Sequence, residues 1–391
     1  MGEGETCPEA PLLKPLRIAY ILEATAGGTR KHLRELVSGM CSHGHAVMVI
    51  VNQGREPDFG EDISWYKGEG CEAAVIPMGR NIAPLKDAIA LFRIVCALRR
   101  FKPDVIHTHA AKAGALGRLA SLFIPHTAVV HTPHTLPYDW AEGAASTAYR
   151  LLEAGFGRLT DAEVALTHAQ AQRMVEARTV KLGTPPRIIV NGAGRAAGLA
   201  KDAVQKRWDI KPGEIVVAQI ARLAPQKACW VFVEAAARVK AENARFVLMG
   251  DGPLKDEIAK NAISRGLGPG RFKMLGYVPH AEHYYSGIDI LVLTSFYEGL
   301  SYVVLEAMAA GLPVVAPRIP GMDEVITNGR SGILVPVGDA SATAEAISRL
   351  IADGKLREML GENAREEVET RFTAQGFIKK HVELYEGLAS S

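Results

Sequence analysis

Residues 290–317 read ILVLTSFYEGLSYVVLEAMAAGLPVVAP. ILVLT is a short uninterrupted apolar run of the kind that forms a buried strand, and LPVVAP is another. Between them, VVLEAMAA is helical in spacing and apolar almost all round. Strand, helix and strand in so short a stretch make a β–α–β unit, which builds parallel sheets covered by helices. The same stretch holds Glu298 in its turn and Glu306 inside its helix, eight positions apart. A carboxylate in so apolar a helix is desolvated and needs a strong partner. An internal arginine is one such partner. A vicinal diol, whose two hydroxyls donate to the two carboxylate oxygens, is another.

The same rhythm extends outward. RIAYILEA (17–24), HAVMVIVN (45–52), CEAAVIPM (71–78), PDVIHTH (103–109), TAVVHTPH (127–134), AEVALTHA (162–169) and RIIVN (187–191) read as strands of one sheet. EIVVAQI, ARFVLMG, RFKMLGY and SGILVPV join the two strands above in a second sheet. Between the two series, NGAGRAAGLAKD (191–202) is rich in Gly and Ala and reads as a linker. The tail over 341–389 is charged and amphipathic, with a joint at Phe372 and Thr373. The pattern predicts an α/β chain of two Rossmann-like, doubly wound domains facing across a cleft: residues 15–192 with 373–391, and residues 193–372. Open α/β sheets bind ligands beyond the carboxyl ends of their strands, so the cleft is the expected site.

Composition narrows the function. The 391 residues suffice for two hydrophobic cores. A net charge of +2, with neither half basic, argues against a nucleic-acid partner. The five cysteines are scattered without a CxxC pair, which suits a reducing compartment better than a disulfide or zinc framework. MGEGETCPEAPLLKP (1–15) lacks the apolar core of a signal peptide. No run approaches the ~20 apolar residues of a spanning helix. The expectation is a cytoplasmic protein. The helix ALFRIVCALRRFK (90–102) ends in Arg99, Arg100 and Lys102. That ending suits a helix packed on a sheet, and equally a reversible contact with the inner leaflet of a membrane.

Four segments of the second half carry chemistry. AQIARLAPQKA (218–228) puts Arg222 and Lys227 on one loop after a strand, where two cations can neutralise a diphosphate without a metal. MGDGPLKDEIAK (249–260) is a glycine-bearing turn, a weak signal by itself. LGYVPHAE (275–282) sets Gly276, Val278 and Pro279 at a strand end, where backbone groups can read the edge of a base. EGLSYVVLE (298–306) starts a helix near Leu300 or Ser301, and its free N–H groups favour a phosphate.

In this order the segments resemble the donor-binding domain of family-4 glycosyltransferases, enzymes of the GT-B fold. Glu298 and Glu306 match the E-x7-E motif of that family, EAMAAGLPVVAP fits its continuation, and Arg222 with Lys227 match R-x4-K. Gly27-Gly28, HTHAAKAG (107–114) and HTPH (131–134) carry the resemblance through the first half. It implies that Glu306 accepts from the donor ribose, Glu298 contacts the transferred sugar, and Arg222 with Lys227 hold the diphosphate. Backbone at Phe296, Gly299, Leu300 and Ser301 would line the donor. Gly27 and Gly28 would allow its close approach, and His134 would lie near the transferred sugar. It further implies retention of anomeric configuration, no cofactor and no divalent metal. The substrates would be a UDP- or GDP-sugar and a glycan or lipid-linked acceptor, in cell-envelope polysaccharide synthesis.

Departures from the pattern are local. Ala228 and Cys229 follow Lys227 where Gly is usual, Ser301 replaces Pro or Gly, Arg30 stands where many relatives are acidic, and HTPHT lacks a Gly. Nine of the twelve histidines precede residue 170. HxH and HxxH without an acidic or Cys partner do not read as a metal site. His107 reads as a core histidine. His109 and His134 read as cleft-facing, and Lys112 as a candidate contact for an anionic acceptor. Two other classes fit the sequence less well. A catalytically silent nucleotide-sugar-binding protein would keep Arg222, Lys227 and Glu306 but lose Glu298 and His134, which are present. A dinucleotide oxidoreductase would need G-x-G-x-x-G after the first strand, where the chain has ATAGGTR.

Overall fold

The computed structural model describes residues 14–53, 56, 58–79, 81–194 and 198–390. The N-terminal stretch with Cys7, and residues 195–197 of the expected linker, lie outside the described residues. The first sheet comprises β1 (Arg17–Leu22), β2 (Ala46–Val51), β3 (Glu72–Val75), β4 (Val105–His109), β5 (Ala128–Thr132), β6 (Ala162–Ala165) and β7 (Arg187–Ile188). Its order is β3-β2-β1-β4-β5-β6-β7, parallel throughout. The second comprises β8 (Ile215–Ile220), β9 (Ala244–Met249), β10 (Phe272–Gly276), β11 (Ile290–Val292), β12 (Val314–Pro317) and β13 (Ile333–Val335). Its order is β10-β9-β8-β11-β12-β13, also parallel.

Each sheet reverses its winding once, between β1 and β4 and between β8 and β11. At such a switch point the neighbouring loops diverge and leave a crevice for ligand. The loops after β1 and β8 carry Gly27-Gly28 and Arg222-Lys227; the loop after β11 carries Glu298. The inner strands are buried on both faces, as their largely apolar composition requires, while the edge strands β3, β7 and β10 are only partly buried.

The joint at Phe372 and Thr373 is a helix boundary. The helix Gly354–Arg371 ends there, and the Thr373 hydroxyl caps the helix Ala374–Ala389 by accepting from the Gly376 N–H at 3.0 Å. That last helix buries Phe377, Ile378 and Tyr385 in the core of the first domain. Only this helix crosses back. Its predecessor stays with the second domain, where Leu360, Ala364 and Val368 pack. The crossing lies beside the linker, with the Ala193 N–H donating to the Phe372 carbonyl at 2.8 Å. Among the described residues, no helix is long and apolar enough to cross a membrane.

Candidate active site

The loops after β8 and β11 are stitched into one surface. The Thr294 hydroxyl donates to the Lys227 carbonyl at 2.9 Å and accepts from Gln219 Nε2 at 2.7 Å. The Phe296 N–H donates to the Gln226 carbonyl at 2.9 Å, and Gln226 Nε2 donates to the Tyr297 carbonyl at 2.9 Å. On this surface the Lys227 ammonium meets a Glu298 carboxylate oxygen at 2.5 Å, and the Ser295 hydroxyl donates to the same oxygen at 2.6 Å. Arg222 is exposed on the same loop. The helix starts at Tyr302, with Ser301 in the N-cap position. The Ser301 hydroxyl makes no cap bond, so no side-chain cap from that residue occupies the first-turn N–H groups.

The two turns that were weak as signals brace this surface. A Cβ on Gly250, whose φ is +142°, would lie 1.9 Å from the Ala221 carbonyl oxygen, so only Gly lets the GDG turn pack against the Arg222 loop. The Gly250 N–H donates to the Gly276 carbonyl at 2.7 Å, and Val278 packs on the second-domain core. The position after Lys227 also explains the usual Gly there: Ala228 sits at φ 43°, ψ 42°, in the left-handed region.

The first domain closes onto this surface. Glu306 is bound by the Lys31 ammonium from the helix Gly27–Ser42, and by the Tyr285 hydroxyl, which donates at 2.8 Å. Burial works against the Lys31 cation, but Glu306 outweighs it and holds the pKa above its ordinary value. The Tyr302 hydroxyl donates to Glu35 at 2.9 Å, and Asn191 Nδ2 donates to the Leu300 carbonyl at 3.1 Å. A Cβ on Gly299 would lie 1.8 Å from the His134 carbonyl oxygen, and one on Gly28 would meet the Tyr302 ring at 3.4 Å. Gly27 adopts φ +55° and its N–H donates to Glu56 at 2.9 Å.

Arg30, the departure in the first glycine turn, is caged. Its guanidinium reaches Asp62 at 2.6 Å, Glu56 at 2.7 Å and Asp58 at 2.8 Å. The Tyr277 hydroxyl, from the second domain, also donates to Asp58 at 2.8 Å.

His107, His109 and His134 form a buried layer beneath the cleft. His107 is a satisfied core residue, with Nδ1 2.6 Å from the Tyr385 hydroxyl and Nε2 2.8 Å from the Thr132 hydroxyl. His109 and His134 are buried rather than open to the cleft, at 1% and 7% exposure. Their Nδ1 and Nε2 atoms are 3.3 Å apart. His32, which no sequence spacing singled out, joins them: ring nitrogens of His32, His109 and His134 lie within 4.8 Å of one another. Burial pushes the His134 imidazole down to about 3, and it lowers His32 and His109 as well, so the layer is neutral. Lys112 turns away to Asp87, 2.6 Å from its carboxylate, with only 11% of its side chain exposed.

Of the residues singled out in the sequence, the structure joins Lys227 to Glu298 and sets Glu306 in the helix behind them. The sequence does not point to Lys31, Glu35, Tyr285, Ser295 or Tyr302, which contact them or their helix. Ser295 was findable, three residues before Glu298 in a turn. The others are long-range partners without a local signal.

Two family profiles match the chain: a glycosyl transferase 4-like domain over residues 27–194, and glycosyl transferases group 1 over residues 200–367. The chain is a family-4 glycosyltransferase. This glycosyltransferase is 27% identical over 332 residues to the UDP-Gal:alpha-D-GlcNAc-diphosphoundecaprenol alpha-1,3-galactosyltransferase of Escherichia coli, covering 82% of this chain and 85% of that one. It is 26% identical to the lipopolysaccharide core biosynthesis glycosyltransferase LpsE of Rhizobium meliloti, covering 94% and 98% of the two chains. Among solved structures, sucrose-phosphate synthase from Thermosynechococcus elongatus superposes with a TM-score of 0.81 at 23% identity, over 96% of this chain and all (100%) of the other. Anabaena HepE, in complex with UDP and glucose, also gives 0.81, at 19% identity over 95% and 100% of the chains. The fold is GT-B.

Proposed function

We propose that this glycosyltransferase moves a sugar from a UDP- or GDP-linked donor to a glycan or lipid-linked acceptor, with retention of configuration and without a divalent metal. The setting is assembly of a cell-envelope polysaccharide on the cytoplasmic side of a membrane. The observation that carries this reading is the Lys227–Glu298–Ser295 constellation beside a helix whose N-cap hydroxyl leaves the first turn open. As the nucleoside diphosphate departs, Arg222, Lys227 and that helix N-terminus stabilise its growing charge, the role a metal would otherwise fill. Glu298 holds sugar hydroxyls and Glu306 the ribose diol, each exchanging a lysine contact for the donor. The leaving phosphate takes the acceptor proton on the same face of the sugar, so no carboxylate opposite the leaving group is needed.

Thermal shift against UDP-, GDP-, ADP- and dTDP-sugars in the presence of EDTA tests this directly. A ligand that binds only the folded state raises the Tm by mass action. A base-selective rise that survives EDTA is expected; flat curves with all four, or a rise that EDTA abolishes, would refute the reading.

A further inference from the structure

Three imidazoles converge beneath the cleft from three elements. His109 ends β4, His134 follows β5, and His32 stands on the helix Gly27–Ser42. The HxH and HxxH spacings contain the first two; the third arrives only through the fold. Tetrahedral zinc holds imidazole nitrogens at about 2.0–2.1 Å, which sets ligand nitrogens about 3.3 Å apart and ring centres about 5 Å apart. Here His109 Nδ1 and His134 Nε2 are 3.3 Å apart. The ring centres of the three residues lie 4.7, 5.3 and 5.4 Å from one another. With one nitrogen taken from each ring, all separations are within 4.8 Å, so a small swing of the His32 side chain completes the triangle.

The surroundings suit such an ion. Asn191 Nδ2 is committed to the Leu300 carbonyl, so Asn191 Oδ1 faces His32 Nδ1, at 2.9 Å. An acceptor there places the ring proton on Nδ1 and leaves Nε2 with a free lone pair, the arrangement that metal-ligating histidines adopt. That Nε2 is buried and has no hydrogen-bond partner among the described residues, a rare state for a polar atom in a protein interior. The Tyr302 hydroxyl, 3.5 Å from the same Nδ1, donates to Glu35 at 2.9 Å and so brings a carboxylate close behind the ring. All three imidazoles are neutral, as ligation requires, because burial lowers the pKa of each. Three neutral nitrogens without a carboxylate favour Zn2+ or Co2+ over Mg2+ and Mn2+.

We propose that His32, His109 and His134 together bind one Zn2+ and that this ion inhibits the enzyme. The site is distinct from the diphosphate loop, whose Arg222 and Lys227 belong to the second domain. Binding follows from the geometry; inhibition rests on the position beside the transferred sugar that the family resemblance gives His134. An ion there takes up the His134 lone pair and fixes its ring. The second domain lies over the site, with Gly299 against the His134 carbonyl and Tyr302 beside His32, so the ion enters while the cleft is open.

Titration of the metal-free full chain with Co2+ and then Zn2+ tests it. One Co2+ per chain should give the visible bands of a four-coordinate site, which Zn2+ then abolishes by displacement. His32→Gln and His109→Gln, with folding checked by circular dichroism, should each weaken Zn2+ binding about 100-fold, since loss of an outer partner alone costs 10–100-fold. His280→Ala with His283→Ala removes an exposed stacked pair and should leave the binding as it was. Turnover in zinc should fall at least tenfold and recover with EDTA, while Mg2+ does neither. Donor-induced thermal shift in EDTA is independent of this site, so its failure and that of the nucleotide-sugar reading are told apart. Absence of the cobalt bands overturns the proposal. So does a thiolate charge-transfer band, which would place the ion on Cys41 and Cys71, whose sulfurs are 3.4 Å apart. Binding that only the surface double variant loses, or that both glutamine variants retain, also overturns it, and zinc bound with turnover unchanged overturns the inhibition.

Discussion

After β11, the charged side chain of the turn into the helix Tyr302–Ala309, Glu298, finds its partners within its own domain, Ser295 three residues away and Lys227 on the adjoining loop. After β1, the equivalent turn into the helix Gly27–Ser42 finds them at a distance. Arg30 gathers Glu56, Asp58 and Asp62, and Tyr277 reaches in from the other domain. Both are strand–turn–helix junctions at a switch point of a parallel sheet. One leaves its charges at the cleft surface, where a ligand can exchange with them. The other consumes the charge of Arg30 internally and offers the cleft glycine backbone, with Lys31 alone reaching across to Glu306. Burial disfavours the Arg30 cation, yet the carboxylates hold its pKa well above its ordinary value, so this cation is structural.

That contrast fails if the cage is dispensable. Asp62 is fully buried and receives both Arg30 and Arg34. Asp62→Ala leaves two guanidinium groups short of their partner, and breaking a buried pair from one side costs about 3–5 kcal/mol. Urea unfolding should show this loss; a change below about 1 kcal/mol would mean that water replaces the cage.

The glycines test the contrast by geometry. Gly299→Ala drives a methyl into the His134 carbonyl, backbone against backbone across the cleft, while Gly27→Ala meets no atom within 4 Å and bears only the strain of φ +55°. Turnover should fall about 100-fold for Gly299→Ala, since displacement of about 1 Å at an active site has that effect. For Gly27→Ala the expected cost is about 1 kcal/mol of stability. Equal effects on turnover would show that the two turns meet the donor alike.

The two carboxylates should separate by step. Glu306→Ala removes a charged acceptor whose side chain is 11% exposed, worth about 1.5–3 kcal/mol, so donor affinity measured by titration calorimetry should drop tenfold or more. Glu298→Ala should lower kcat with a smaller change in KM. Donor affinity that ignores Glu306→Ala would leave Lys31 and Tyr285 as its whole purpose.

Much of this was legible in the chain because it is local. Unbroken Val and Ile runs fixed the strands, and the E-x7-E spacing set one carboxylate in the turn and one in the helix. The first-domain partners were not legible. Nothing near Lys31 in GGTRKH announces Glu306, 275 positions away. Lys112 illustrates the converse: a lysine after a strand end looked available, and only the packing of the helix Pro84–Phe101 shows that Asp87 claims it. His109 and His134 sit at strand ends as their positions implied. The helix Ala374–Ala389 and His32 then close over that layer, which no local pattern reveals.

Glu35 sharpens the comparison at its smallest scale, because it joins the two turns through Tyr302. Burial pushes its carboxyl up from 4.5 to about 7, with Lys31 and the Tyr302 hydroxyl opposing and Glu306 adding to the rise. A carboxyl raised in the folded state binds its proton more tightly there than in the unfolded chain. Its favourable contribution is therefore complete below about 4.5 and is lost as the pH climbs to about 7. Glu35→Gln keeps an acceptor for Tyr302 and removes the titration. The stability of the variant relative to wild type should rise by about 1 kcal/mol between pH 5 and pH 8, with partial exposure taken into account. A difference flat across that range would show Glu35 ionised throughout, paired with Lys31 in place of Glu306, and the division of partners across the cleft would have to be redrawn.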